Sequence, residues 1–94
     1  MSTALVLPAE MSIYNVTELR GQWLAWMDAA PVEGPGQVDA SQVAEVDAAG
    51  LQLLLSLAAA LERRRRSLQL LQPSTALQGA CQALGMQSLL ARAV

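Results

Sequence analysis

Three carboxylates, Asp39, Glu45 and Asp47, fall close together in the chain with one hydroxyl, Ser41, between them. Met at one edge of a fold, such a group could hold a hard cation or accept a phosphoryl group. A hard-metal site, however, needs about six or more oxygen ligands in fixed geometry. A single short stretch with three acids falls short of that, so the plainer roles are expected. Asp39 is a strand-end acid, Glu45 a solvated loop acid, Asp47 a helix cap, and Ser41 a hydrogen-bonding group in the loop. Histidine is absent, which removes the commonest general base and metal ligand. Cys81 is the only cysteine. It has no imidazole to activate it and no second thiol to bridge to, so a small buried hydrophobe is its expected role. No catalytic residue, metal or cofactor is expected.

The stretch that must position these groups is Val43 to Leu61. Asp47 is followed by Ala48, Ala49 and Gly50, and then by apolar residues at Leu51, Leu54, Leu55, Ala58 and Leu61. That spacing is one buried helical face, with Asp47 as its N-cap. Ala48, Ala49 and Gly50 leave the first turn nearly bare, so its backbone can be approached closely. Leu53, Leu57 and Ala60 lie off the stripe. A bare helix start beside a second apolar strip is the outline of a docking surface.

Around this helix the chain reads as alternating strands and helices. Ala4 to Leu7 is a first strand stopped by Pro8, and Pro8 to Ser12 reads as a turn, with Ile13 and Tyr14 packing back on the core. Asn15 or Thr17 caps a helix whose apolar face is Val16, Leu19, Trp23, Trp26 and Ala30, widened by Leu24 and Met27. It ends near Ala30, before the loop of Pro31, Gly34, Pro35 and Gly36. A strand over Gln37 to Ala40 ends at Asp39, and Ala44 to Val46 leads into the Asp47 helix. Ser67 to Leu71 alternates as a strand closed by Pro73. Ser74 or Thr75 then caps a helix through Leu84, with Gly85 at its C-terminal end. Met86 to Val94 fits either a last helical turn or an edge strand.

This order predicts an α/β fold: one domain over residues 1–94, a small mixed sheet of four to five strands with three to four helices packed on it. Right-handed connections gather the strand ends before each helix along one edge, near which Asp39, Ser41 and the Asp47–Gly50 turn should meet. With 53% hydrophobic and 15% charged residues, disorder is not expected. The net charge of -2 gives no general attraction to nucleic acid or anionic membrane. Four of the six arginines are consecutive, Arg63 to Arg66. Without interleaved aromatic residues they read as a solvated helix end rather than a phosphate-binding patch. Trp23 and Trp26 are expected in the core. No signal-peptide pattern opens the chain and no apolar run is long enough to span a bilayer, so a cytoplasmic location is expected.

The segment V-D-A-S-Q-V-A-E-V-D-A-A-G-L-Q-L-L-L at 38–55 resembles the signature of STAS domains, the family of anti-sigma-factor antagonists. The strand S-L-Q-L-L and the P-S-T-A-L…L-G-M helix resemble it too, and L-P-A-E-M-S-I-Y-N-V-T-E-L is similar to a shortened form of the family's first strand and helix start. The resemblance implies a non-enzymatic docking module. Its contact surface would comprise Asp39, Ser41, Asp47, Ala48, Ala49, Gly50, Leu51, Leu53 and Leu57. Family members are often switched by phosphorylation of a Ser or Thr directly after the signature Asp. Here that position is Ala48, so no phosphosite is expected. The implied partner is a protein: a switch kinase or chemosensory kinase, or the ATPase of an Mla-like phospholipid transporter. The oligomeric state is left open.

Overall fold

The computed structural model describes residues 4–29 and 34–93. Among these, five strands and four helices follow in the order β1 (Leu5–Val6), β2 (Glu10–Met11), α1 (Val16–Ala29), β3 (Gly36–Asp39), β4 (Glu45–Val46), α2 (Ala48–Arg63), β5 (Leu68–Leu71), α3 (Thr75–Ala83) and α4 (Gln87–Leu90). The α/β class is the expected one. The strands divide into two small sheets, β1-β3-β5 and β2-β4, and each of these pairings is parallel. Strand β3 is central, with Val38 set between Leu5 and Leu70 and Asp39 between Val6 and Leu71.

The core gathers Leu7, Met11, Trp23, Val38, Leu51, Leu54, Leu61, Leu70, Leu77 and Leu89, all fully or almost fully buried. Helix α2 buries Leu51, Leu54, Ala58 and Leu61 of the stripe its periodicity predicts, while Leu55 of that stripe is only half-buried against the core. Helix α1 packs against α2 and buries Leu19, Trp23 and Met27, while Trp26 is half-buried against the core. Cys81 is fully buried, and burial pushes its thiol pKa up, as suits a small core side chain.

Several local expectations change. The segment 8–12 is not only a turn: Glu10–Met11 pairs with Glu45–Val46, which ties the start of α1 to the start of α2. Ile13 and Tyr14 do not pack on the core; they are 68% and 91% exposed. After Gly85, which takes φ +70° and ends α3, the chain makes the short helix α4, so the helical reading of that segment holds; of an edge strand there is only one isolated parallel bridge, from Ala93 to Leu70. Ala30 to Glu33, where the sequence puts the end of α1 and part of its loop, and Val94, at the end of the last segment, lie outside the described residues.

The arginine run is not a uniform solvated end. Arg66 is 7% exposed, and its Nε donates to the Gly34 carbonyl at 2.9 Å. Arg64 donates to the Met27 carbonyl and pairs with Asp28 at 2.8 Å. Arg65 takes φ +59°, the left-handed turn that reverses the chain after α2, and Arg63 stays on the surface. Short turn geometry therefore gives adjacent, identical side chains different roles.

Candidate functional site

Asp47 caps α2, and it does more than cap. Its Oδ1 accepts from the Gly50 N–H at 3.0 Å, which satisfies a free donor of the first turn. Its Oδ2 accepts from the Ile13 N–H, also at 3.0 Å. Its own N–H donates to the Met11 carbonyl at 3.2 Å. One side chain thus holds the helix start and the β2–α1 loop in a fixed relation. The N–H of Gly50, and then that of Ile13, hold the Asp47 carboxyl below its ordinary pKa of 3.8.

The loop it holds is closed by its own polar groups. The Ser12 N–H donates to Asn15 Oδ1 at 2.8 Å, the Tyr14 N–H to Ser12 Oγ at 3.2 Å, and Asn15 Nδ2 to the Glu10 carbonyl at 2.8 Å. Asn15 directly precedes α1, yet its side chain turns back into the loop rather than over the helix. With both backbone amides bound, Ile13 and Tyr14 project from a fixed support. Sequence reasoning missed this pair. The signal was present in Ser12 and Asn15, whose side chains favour local hydrogen bonds of this kind.

Gly50 is buried because the chain itself makes the close approach that its lack of a side chain permits. A Cβ there would lie 2.3 Å from the Met11 carbonyl oxygen. Of the residues expected at a contact surface, Gly50, Leu51 and Leu57 are therefore corrected to the interior: Leu51 is 0% and Leu57 5% exposed. Leu57 lies off the main stripe of α2 because it faces α1. Ala48 is exposed, and Ala49 and Leu53 are half-buried.

Asp39 and Ser41 belong to a different helix start. Asp39 Oδ1 accepts from the Ser41 N–H at 2.9 Å, and this bond lowers the Asp39 pKa. Ala40 between them accepts from the Ser74 N–H at 3.2 Å, and Ser74 caps α3 through its hydroxyl. Asp39 and Asp47 each accept separate backbone donors, and no hydrogen bond among the described residues joins the two groups. Among the same residues, no group of three or more His, Cys, Asp or Glu side chains is placed to hold a metal ion. No helix there is long and apolar enough to cross a membrane.

With the cap, the loop and the sheet order in view, the comparison with known families is decisive. The family model described as "Mlab, STAS domain" matches residues 1–91. The chain belongs to the STAS domain family. A comparison with curated proteins gives no significant match. STAS domains are in general binding modules rather than enzymes. In this one, position 48, where the resemblance places the family's phosphorylated hydroxyl, is an exposed alanine at the head of α2.

Proposed function

We propose that this STAS domain is a non-enzymatic, cytoplasmic docking module, one domain over residues 1–94, that regulates a signalling partner of the switch-kinase or chemosensory type. The observation that carries this is the double clamp of Asp47, which sets exposed Ala48 beside the exposed pair Ile13 and Tyr14. The contact surface is then Ala48, Ala49 and Leu53 with Ile13 and Tyr14, and Asp47 serves as its internal brace. A large aromatic side chain held at 91% exposure by a hydrogen-bonded loop has the character of an interface anchor. Asp39 and Ser41 extend the surface toward α3. Ala48 carries no hydroxyl, so docking here is not operated by a phosphate at that position.

A second reading, docking on the ATPase of a phospholipid transporter, is favoured by the family description, which names Mlab. Affinity capture from native lysate tests both, with wild type beside Ala48→Glu and Tyr14→Ser. Both variants should keep the wild-type melting profile. A signalling kinase lost in both supports the first reading, and a transporter ATPase lost in both supports the second. A partner held equally by all three proteins refutes the proposed surface.

A further inference from the structure

Helices α1 and α2 do not close completely along their length. Between them lie two depressions, of about 120 Å³ and about 270 Å³, which share Arg20, Leu53 and Ser56 in their walls. The first is floored by Trp23, Met27 and Leu57 and edged by Leu24, which is 39% exposed. The second begins at Ala49 and Gln52, in the first turns of α2, so the groove opens beside the Asp47 cap. Its charge is one-sided. The charged residues in its walls are Arg20 and Arg63, and among the described residues neither depression is lined by an acid. Both arginines are exposed and neither enters an ion pair among those residues. In a chain of net charge -2, this is a local reversal of sign.

We propose that this groove receives an acidic amphipathic helix of the partner protein, an inference that rests on the docking reading above. Two parallel helices with an apolar seam present the form into which a third helix lays its apolar face. The smaller depression is half open, with Leu24 and Leu53 at its rim, and the larger is a shallow surface hollow, so apolar side chains of a partner helix can rest along the seam without being enclosed. Arg20 midway along the groove and Arg63 at its far end then select carboxylates flanking those side chains. A second copy of this chain is a poor occupant. Helices α3 and α4 contain no acid, Glu62 of α2 is engaged by Arg92, and α1 and α2 are themselves the groove walls.

The test uses the full chain and a designed amphipathic peptide of roughly 18 residues, long enough to be helical alone. The peptide carries leucine on one face and glutamate beside it, and an analogue carries lysine in place of glutamate. Anisotropy of the labelled peptides should show the acidic form bound about ten-fold or more tighter than the basic one, with the preference falling as salt is raised. Arg20→Glu with Arg63→Glu should reverse that preference, whereas Gln82→Glu at an exposed position of α3 should leave it unchanged. Equal binding of the two peptides, no binding of either, or indifference to the charge reversal overturns the proposal. So does a wild-type dimer that Leu53→Arg dissociates, since the groove would then be a contact between copies. A native partner lost in Tyr14→Ser but kept by the arginine reversals overturns the groove alone and leaves the docking reading standing. A peptide that binds as expected, with capture unaffected by Tyr14→Ser, refutes the docking surface instead.

Discussion

Replacing a helical glycine by alanine ordinarily stabilises a protein, by about 0.5–1 kcal/mol, because alanine loses less backbone freedom on folding. At Gly50 the sign should reverse. The added Cβ would stand 2.3 Å from the Met11 carbonyl oxygen, 2.8 Å from its carbonyl carbon and 2.9 Å from its Cβ. Carbon and oxygen in contact settle at ~3.3 Å or more, so the first turn of α2 must retreat from β2 by about 1 Å. The obstacle is backbone in a paired strand and cannot rotate aside. The retreat also stretches the 3.2 Å bond from the Asp47 N–H to that same carbonyl. Overpacking of this kind costs about 1–3 kcal/mol and a weakened backbone bond about 1 kcal/mol, against a propensity gain of about 1 kcal/mol. The net expectation is a destabilisation of about 2 kcal/mol, which for a domain of this size lowers Tm by roughly 8–16 °C. Urea unfolding followed by tryptophan fluorescence and far-ultraviolet circular dichroism measures it. Gly21→Ala in α1 and Gly79→Ala in α3 are the controls, since a Cβ at either meets nothing within 4 Å, and both should stabilise. If Gly50→Ala matches these controls, the close approach of α2 to β2 is wrong.

Two further expectations concern polar groups. Arg66→Met keeps much of the buried stem but removes the donor to the Gly34 carbonyl, and should cost about 1.5–3 kcal/mol, whereas the same change at exposed Arg63 should stay within about 0.5 kcal/mol in the same urea assay. The Asp47 carboxyl has a folded pKa below its ordinary 3.8, so the unfolded chain binds the proton more readily. Its contribution is therefore present above pH 3.8 and is lost as pH falls through the lower, folded value. Stability measured against pH should fall across that acid window, and less steeply in Asp47→Asn; an unchanged slope would refute the role given to its two hydrogen bonds.

What was legible in the sequence is what periodicity and capping determine. The α2 stripe, apart from half-buried Leu55, the Asp47 cap and a cap at Ser74 or Thr75 follow from local residue type, and the structure puts the last of these at Ser74. What was not legible depends on where the chain returns. Nothing local distinguishes the exposed Ile13 from a core isoleucine, because its place is set by an Asp47 carboxylate 34 positions away. The two-residue β2 gives no periodic signal, since it is too short to alternate. The bare Ala48–Gly50 turn marks a point of close approach in the sequence, but at Gly50 the approaching backbone is Met11 of the same chain and not a partner. Likewise Arg66 differs from Arg63 only through the left-handed turn at Arg65, which carries it under the carbonyls of the Gly34–Pro35 loop.

The brace at Asp47 also bears on how strongly such a surface can bind. A loop that must be ordered on association loses about 0.5–1.5 kcal/mol for each immobilised side chain, and more for its backbone. Here the Ile13 and Tyr14 amides are already bound, by Asp47 Oδ2 and Ser12 Oγ, before any partner arrives. Much of the ordering is therefore complete in the free protein, and the apolar area of the exposed pair remains available to the complex. The same arrangement couples the loop to the helix. Asn at position 47 has one acceptor oxygen where Asp has two, and its amide would set a donor against either the Gly50 or the Ile13 N–H. One of the two bonds must be lost. Asp47→Asn should thus weaken partner binding even where the α2 cap survives, which a purely capping role for Asp47 does not require.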